Sequence, residues 1–332
     1  MSNWKLEDII DQGGETTYRH YLAKYPSLRG KVGFSLQIWR AYRQVKQLYA
    51  QTLRDKECYY GPFKGEFGHF LLHNLPFISY LHAQGVKVHY CGMALHKPFL
   101  IDESGNSLVH TYHELRDFFK EVKPQSNFCD PPEDVQQEIA TFKKTARQSG
   151  KVLWEIDQEF FYWHAFRNWV LVKPHQKAYR INRYYQPEKE KAAVIFPRKK
   201  GGTFSPNNGG PWDYTELART LSPYFDKVYV TGHPSLSAEL ESFDNVEVCL
   251  SEDNTTVIEK CSAARLIVTQ HSGAVHMGSY TDTPVLLIFN GKPPIKGLAD
   301  TLRFRRHLNP KHALSFAFSL KEIEAFVKAG KF

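Results

Sequence analysis

Residues 192–197 (AAVIFP), 227–231 (KVYVT), 246–250 (VEVCL), 265–269 (RLIVT) and 284–289 (PVLLIF) are short apolar runs rich in β-branched residues. Between them lie 213–225, 235–242, 255–264 and 273–280, segments of roughly ten residues with helical spacing of apolar side chains. In the first of these, Leu217, Leu221 and Phe225 fall four apart. Strands alternating with helices of this length predict right-handed βαβ units on a parallel sheet. The second half of the chain is therefore expected to be a Rossmann-like α/β domain.

Upstream, one further βαβ unit is legible. A strand is predicted over 57–60 (ECYY), a glycine-punctuated loop over 61–68 (GPFKGEFG), a helix over 69–84 and a strand over 86–91 (VKVHYC). Pro76 falls inside that helix and predicts a kink or a break. Residues 1–54 are predicted mainly helical, with Leu36, Trp39, Tyr42 or Arg43 and Lys46 forming a mixed basic and aromatic face. That face reads first as packing against the domain and second as contact with a membrane surface. A turn-rich loop covers 124–134 (PQSNFCDPPED), and the charged stretch 182–191 (NRYYQPEKEK) is expected to link two domains, 1–186 and 187–332.

The 332 residues leave room for two cores, and 42% hydrophobic with 23% charged residues excludes wholesale disorder. Lys+Arg 43 against Asp+Glu 35 leaves +8, a surplus that favours anionic ligands and is modest for a dedicated nucleic-acid binder. Cys58, Cys91, Cys129, Cys249 and Cys261 are odd in number, form no CxxC pair and suggest a reducing compartment. The N-terminus lacks a signal-peptide pattern, and no apolar stretch reaches the ~18 residues of a spanning helix. A cytoplasmic protein, at most peripheral at the membrane surface, is expected.

Ligands of open α/β sheets bind beyond the carboxyl ends of the strands. After 192–197 come Arg198, Lys199 and Lys200 and a glycine-rich loop through Pro211. Cations beside glycines suit a diphosphate, and equally suit a solvated basic loop. After 227–231 comes the short turn Gly232-His233-Pro234, a weak signal. After 265–269 come Gln270-His271-Ser272-Gly273-Ala274-Val275-His276. Here Ser272 is predicted to cap a helix whose free amides at Gly273, Ala274 and Val275 receive an anion, with His276 one turn inside. In the first domain Glu66 lies between a strand and a helix, where it is expected to point into a cleft between the domains. It reads either as a general base or as an acid favouring a helix N-terminus, and His69 as a second base or an orienting partner.

GxxxxGK[ST], GxGxxG, HExxH and GxSxG are all absent, which argues against P-loop hydrolysis, dinucleotide binding and the common protease and hydrolase chemistries. The fifteen histidines are scattered, no pair stands out as metal ligands, and no DxD is present; a catalytic metal is not indicated.

The arrangement resembles the GT-B fold glycosyltransferases, in which two Rossmann-like domains face a central cleft and the C-terminal one holds the nucleotide-sugar. It is most similar to the heptosyltransferase-like family. Thr269, Ser272-Gly273, His276, Thr283-Pro284 and Phe289-Asn290-Gly291 match that family's C-terminal signature, whose Gly-xx-His turn contacts the donor diphosphate. Arg198 or Lys199 matches its basic residue after the first C-domain strand. Gly65-Glu66 and Leu75-Pro76 resemble its Gly-Asp and Leu-Pro, with Glu in place of Asp and about one extra helical turn between them.

The resemblance implies an inverting glycosyltransferase of polysaccharide biosynthesis. Its partners would be a nucleotide-sugar donor and a glycan or lipid-linked glycan acceptor, with no nucleic acid and no cofactor or metal. Glu66 and His69 would be its catalytic residues, and Arg198, Lys199, Thr231, Gly232, His233, Ser272, Gly273, Ala274 and His276 its donor site. Phe204, Trp212, Tyr229 and Tyr280 are candidates for stacking on base or sugar. Two other functions fit the same residues: a polysaccharide pyruvyl transferase taking phosphoenolpyruvate, and a non-catalytic polyanion binder.

Overall fold

The computed structural model describes residues 24, 26–102, 104–122, 128–171, 188–199, 212–290, 313–330 and 332. The chain divides into two compact units, Met1–Arg180 and Ile181–Phe332. The expected boundary at 186/187 lies outside the described residues.

The first unit begins with a 28-residue helix, α1 (Leu28–Asp55), capped by Ser27, whose Oγ accepts from the Gly30 amide at 3.1 Å. Its inward side chains are Phe34, Ala41, Val45 and Thr52, a helical stripe that meets Phe160 and His164 at one end and Trp154 at the other. The expectation that Leu36 and Trp39 pack against the domain is corrected here. They lie on the opposite side of the helix from that stripe, 48% and 54% exposed.

Four parallel strands follow: β1 (Glu57–Phe63), β2 (Lys87–Met93), β3 (Thr111–Leu115) and β4 (Val152–Trp154), in spatial order β3-β2-β1-β4. β1 runs three residues beyond the predicted strand into the glycine loop. At Gly61, φ is +130° and a Cβ would lie 2.5 Å from the Cys91 carbonyl oxygen, so only glycine lets the two central strands approach this closely. Helix α2 follows β1 in three segments, Phe67–His69, a π-helical Phe70–Asn74 and Leu75–Ala83. Pro76 has no N–H and would crowd the preceding turn, and the chain widens into the π turn just before it instead of ending. Helix α3 (Glu133–Gln148) covers β3 and β4, and helix α4 (Glu159–Phe161, Tyr162–Phe166 and Arg167–Leu171) carries a second π turn.

The second unit is a six-stranded parallel sheet of β5 (Glu190–Phe196), β6 (Lys227–Gly232), β7 (Val246–Leu250), β8 (Ala264–Thr269), β9 (Val285–Ile288) and β10 (Leu314–Ala317). The spatial order is β10-β9-β8-β5-β6-β7, the doubly wound order that reverses between β5 and β8. Ala193, Ile195, Val228, Val230, Leu266 and Val268 face helices α5 (Tyr214–Leu221) and, near the C-terminus, α8 (Leu320–Lys328), through Leu217, Leu221, Ile323 and Val327. The other sheet face meets α6 (Asn254–Ala263) and α7 (Ala274–Thr281). Each buried Val, Leu or Ile side chain here stabilises by about 1.5–3 kcal/mol.

The helix expected over 235–242 does not form. Pro197 O accepts from the Ala238 amide at 2.6 Å and the Lys199 amide donates to Leu236 O at 3.1 Å, so this segment pairs with the end of β5 as a short antiparallel bridge, Arg198 opposite Ser237. Backbone partners supplied by another element outweigh a weak local helical preference.

Among the buried side chains of the first unit, His96 is fully buried just past the ends of β1 and β2. Its Nε2 donates to the Gly65 carbonyl at 2.8 Å, which fixes Nδ1 as the acceptor for the Tyr90 hydroxyl at 3.2 Å. Burial pushes its pKa down to about 3, against a partial upward pull from the Gly65 carbonyl. The unfolded chain takes up this proton near pH 6.5 and the native chain does not. The contribution is therefore fully present above pH 6.5 and is lost as pH falls towards 3, reaching about 2 kcal/mol at pH 5. Urea unfolding at pH 7.5, 6 and 5 should show falling stability, with a shallower slope in His96→Asn by up to one proton.

Candidate functional site

In the second unit the reversal of strand order puts the loops after β5 and β8 side by side, the position where doubly wound sheets bind ligands. β5 and β8 pair in parallel up to Phe196 opposite Thr269, so Arg198 and Gln270 leave adjacent strand ends. The Tyr214 hydroxyl joins them. It donates to Gln270 Oε1 at 2.7 Å, accepts from the Arg198 backbone amide, and has its pKa pushed up to about 12 by burial. Gln270 is 1% exposed, and its Nε2 has no acceptor among the described residues.

Next to it, His271 is buried, and its pKa is pushed down to about 4, first by burial and then by the charge of Arg198. Arg198 itself is half-buried, with Nε out of contact with solvent, whereas Lys199 is exposed. A buried amide with an unmet donor and a neutral imidazole thus follow β8, with the Arg198 charge near enough to act on His271, and an anion at such a desolvated edge feels these groups more strongly than at an open surface.

The Ser272 turn is built differently from expectation. Gly273 is the residue at the N-cap position of α7, with helical φ and ψ, and Ser272 lies one residue earlier. Ser272 Oγ accepts from the Ala274 amide at 3.3 Å and Ser272 O accepts from the Val275 amide at 3.2 Å. Two of the three amides expected to be free are therefore spent inside the turn, because the serine supplies acceptors within it. Ser272 and Gly273 remain half-exposed, and His276 is buried one turn in, its amide on Gly273 O at 2.9 Å.

The turn after β6 backs Arg198. Gly232 has φ of +140°, and a Cβ would meet Ser237 Oγ at 2.9 Å. This conformation turns the chain so that Ser237 lies against Arg198. The His233 carbonyl accepts from the Leu236 amide at 3.0 Å and its ring Nδ1 from the Ser235 amide at 3.2 Å. Thr231 is fully buried with its hydroxyl on Cys249 O at 3.1 Å, directed along the sheet. Thr283 is likewise structural: its hydroxyl donates to Cys261 O at 2.7 Å. Tyr229 carries the Lys260 ammonium 4.0 Å from its ring, Tyr280 is buried, and Trp212 packs on the core. Lys200, Phe204, the rest of 201–211 and Gly291 lie outside the described residues.

In the first unit the order also reverses, between β1 and β4, and the loop after β1 carries Glu66. Lys64, just before it, is 8% exposed and donates to Cys129 O at 3.0 Å, while Gly65 is held by His96. Glu66 is half-exposed at the N-cap position of α2, and its carboxylate makes no capping bond to the helix amides. His69 stacks on His73 with centroids 5.9 Å apart and meets Trp163 edge-on at 5.2 Å. Burial, then Arg167, push its pKa down to about 4, so it is neutral at pH 7. Asn74, fully buried, accepts from Tyr60 at 2.7 Å and donates to His69 O at 3.1 Å, which satisfies a carbonyl at the start of the π turn.

Sequence reasoning did not anticipate Tyr214, Gln270 or His271 as site residues. Gln270 and His271 do lie inside the loop it singled out, and a polar pair directly after a buried strand was the available signal. Among the described residues, no three His, Cys, Asp or Glu side chains converge as a metal set. No described helix is long and apolar enough to cross a membrane.

No protein-family model matches the chain, and no curated protein matches it. Solved structures similar to it include the Escherichia coli heptosyltransferase WaaC with ADP, at 11% identity, 82% coverage of this chain and 99% of that one, and a TM-score of 0.48. Another is the E. coli ADP-heptose LPS heptosyltransferase II, at 14% identity, 83% and 99% coverage and a TM-score of 0.44. A glycosyl transferase family 9 protein of Veillonella parvula is 12% identical over 83% of this chain and 89% of its own, with a TM-score of 0.42.

Proposed function

We propose that the protein is a glycosyltransferase that takes a nucleotide-sugar donor at the carboxyl ends of β5 and β8. The observation that carries this reading is the desolvated donor group at that edge: the Gln270 amide with an unmet proton beside Arg198 and the neutral His271. A diphosphate there would accept from Gln270 Nε2 and pair with the guanidinium, with Ser272 and Gly273 at the rim. Arg198 raises the energy of a protonated His271, and a bound dianion would relieve that repulsion.

The reaction is a displacement at the anomeric carbon. Glu66 takes the proton of an acceptor hydroxyl, whose oxygen bonds to the anomeric carbon as the bond to the diphosphate oxygen breaks. The nucleoside diphosphate leaves with the electron pair, on the face opposite the attack, and configuration inverts. Arg198 and Gln270, fixed in place before the reaction, stabilise the charge that grows on the leaving group, so the step needs no metal. A glycan or lipid-linked glycan is the acceptor class.

Calorimetric titration with nucleoside diphosphates should give saturable binding, whereas binding of phosphoenolpyruvate alone would replace this reading with pyruvyl transfer. Arg198→Ala should weaken nucleoside-diphosphate binding by about 10- to 100-fold, since a hydrogen bond to a charged group is worth about 1.5–3 kcal/mol. Gln270→Leu should weaken it by about fivefold, for a loss near 1 kcal/mol. Glu66→Gln should cut turnover by about 10²- to 10⁴-fold at unchanged donor affinity, read as released nucleoside diphosphate. Turnover should persist in excess chelator.

A further inference from the structure

Helix α1 is apolar on two opposite sides. One is the inward stripe of Phe34, Ala41, Val45 and Thr52. The other is Leu28, Val32, Leu36 and Trp39, which are 79%, 51%, 48% and 54% exposed and are the large hydrophobics most open to solvent among the described residues. At about 100° per residue these four fall within an arc of roughly 80°, centred nearly opposite the inward stripe. Residues 28–54 contain no acid, and Arg29, Lys31, Arg40, Arg43, Lys46 and Arg54 are all exposed. The one acid of the helix, Asp55, is its last residue and pairs with Arg54 at 3.2 Å. Five cations, Arg29, Lys31, Arg40, Arg43 and Lys46, flank the outward stripe or continue it towards the C-terminus, and the Arg43 guanidinium lies 4.9 Å from the Trp39 ring.

We infer that this outward face of α1 docks the protein on an anionic lipid surface, independently of any nucleotide. Charge and shape select that occupant. A second copy of the chain would bring two cationic faces together, and a nucleic acid would match the cations and leave Leu28, Val32 and Leu36 against phosphates. An anionic bilayer satisfies both sets: apolar side chains and the indole enter the headgroup layer, and cations meet lipid phosphates around them. Leu28 to Lys46 spans about 27 Å, long enough for the helix to lie in the plane of the surface.

The test is sedimentation of the full chain with vesicles of phosphatidylcholine, alone or with about a third phosphatidylglycerol. Binding is expected to the anionic vesicles, little to the neutral ones, and to fall as salt rises from about 0.1 to 0.5 M. Arg40→Gln/Arg43→Gln/Lys46→Gln should weaken it by about tenfold or more, and Leu36→Gln/Trp39→Gln should weaken it at unchanged charge. Lys321→Gln/Lys328→Gln, exposed in the other unit, should not. The altered side chains are exposed, so melting temperature and far-ultraviolet circular dichroism should stay at wild-type values. No binding to anionic vesicles, equal binding to both kinds, or wild-type binding by the α1 variants would overturn the inference. So would self-association, or RNA binding, that the Leu36→Gln/Trp39→Gln variant loses. Nucleoside-diphosphate titration of the same variants keeps this result separate from the donor site.

Discussion

The parallel pairing of β5 with β8 is the constraint on which the second unit depends. Because β6 and β7 lie on one side of that pair and β9 and β10 on the other, the chain leaves the two central strand ends in opposite directions and opens a gap at the sheet edge. Tyr214 spans it from the first turn of α5, holding the Arg198 backbone and the Gln270 side chain at a fixed separation. Lys189 ties the opposite end of the same strands. Its ammonium donates to Ser262 O at 2.5 Å and to Thr281 O and Thr283 Oγ1, each at 3.2 Å, and so joins the ends of α6 and α7 to the start of β5. An ammonium this removed from water loses basicity, and its pKa is lowered mainly by burial. Three hydrogen bonds offset part of the desolvation that such a placement costs.

The first unit repeats the constraint with a different filling. Reversal between β1 and β4 places the loops leading to α2 and α4 together, and each helix carries a π turn where the two meet. Tyr162 in one π turn bonds His73 in the other, with 3.2 Å between the hydroxyl and Nδ1. Asn74, His73 and Tyr60 form a buried polar cluster in a packed interior. Such groups are costly when unpaired and position the backbone firmly when satisfied. Just before Glu66, the consecutive residues Lys64 and Gly65 are anchored to Cys129 and His96, which fixes the path by which the chain leaves β1.

Desolvation therefore governs both candidate loops, with opposite consequences for charge. His69, His96 and His271 are all driven towards the neutral form by burial, and two of them lie near a guanidinium that adds to the effect. Arg167 acts in this way on His69, and Arg198 on His271. The outward face of α1 is the reverse case: its cations stay in water, and its apolar stripe is the part out of place.

The sequence alone was sufficient for the α/β class, for every strand of the second sheet between 190 and 289, and for the loops that carry the candidate chemistry. Apolar runs and four-residue spacing are local properties, and a parallel sheet buried on both faces enforces them along each strand. It did not determine whether 235–242 is helical, which side of α1 is buried, or where the amides around Ser272 point. The last rests on acceptors that Ser272 supplies within its own turn, and the first two depend on partners distant in sequence: the Pro197 carbonyl, and the Trp154 and Phe160 side chains. Gln270 and His271 gained their meaning in the same way. A glutamine and a histidine after a strand are ordinary until the reversal at β5 and β8 brings Tyr214 and Arg198 against them and removes the water.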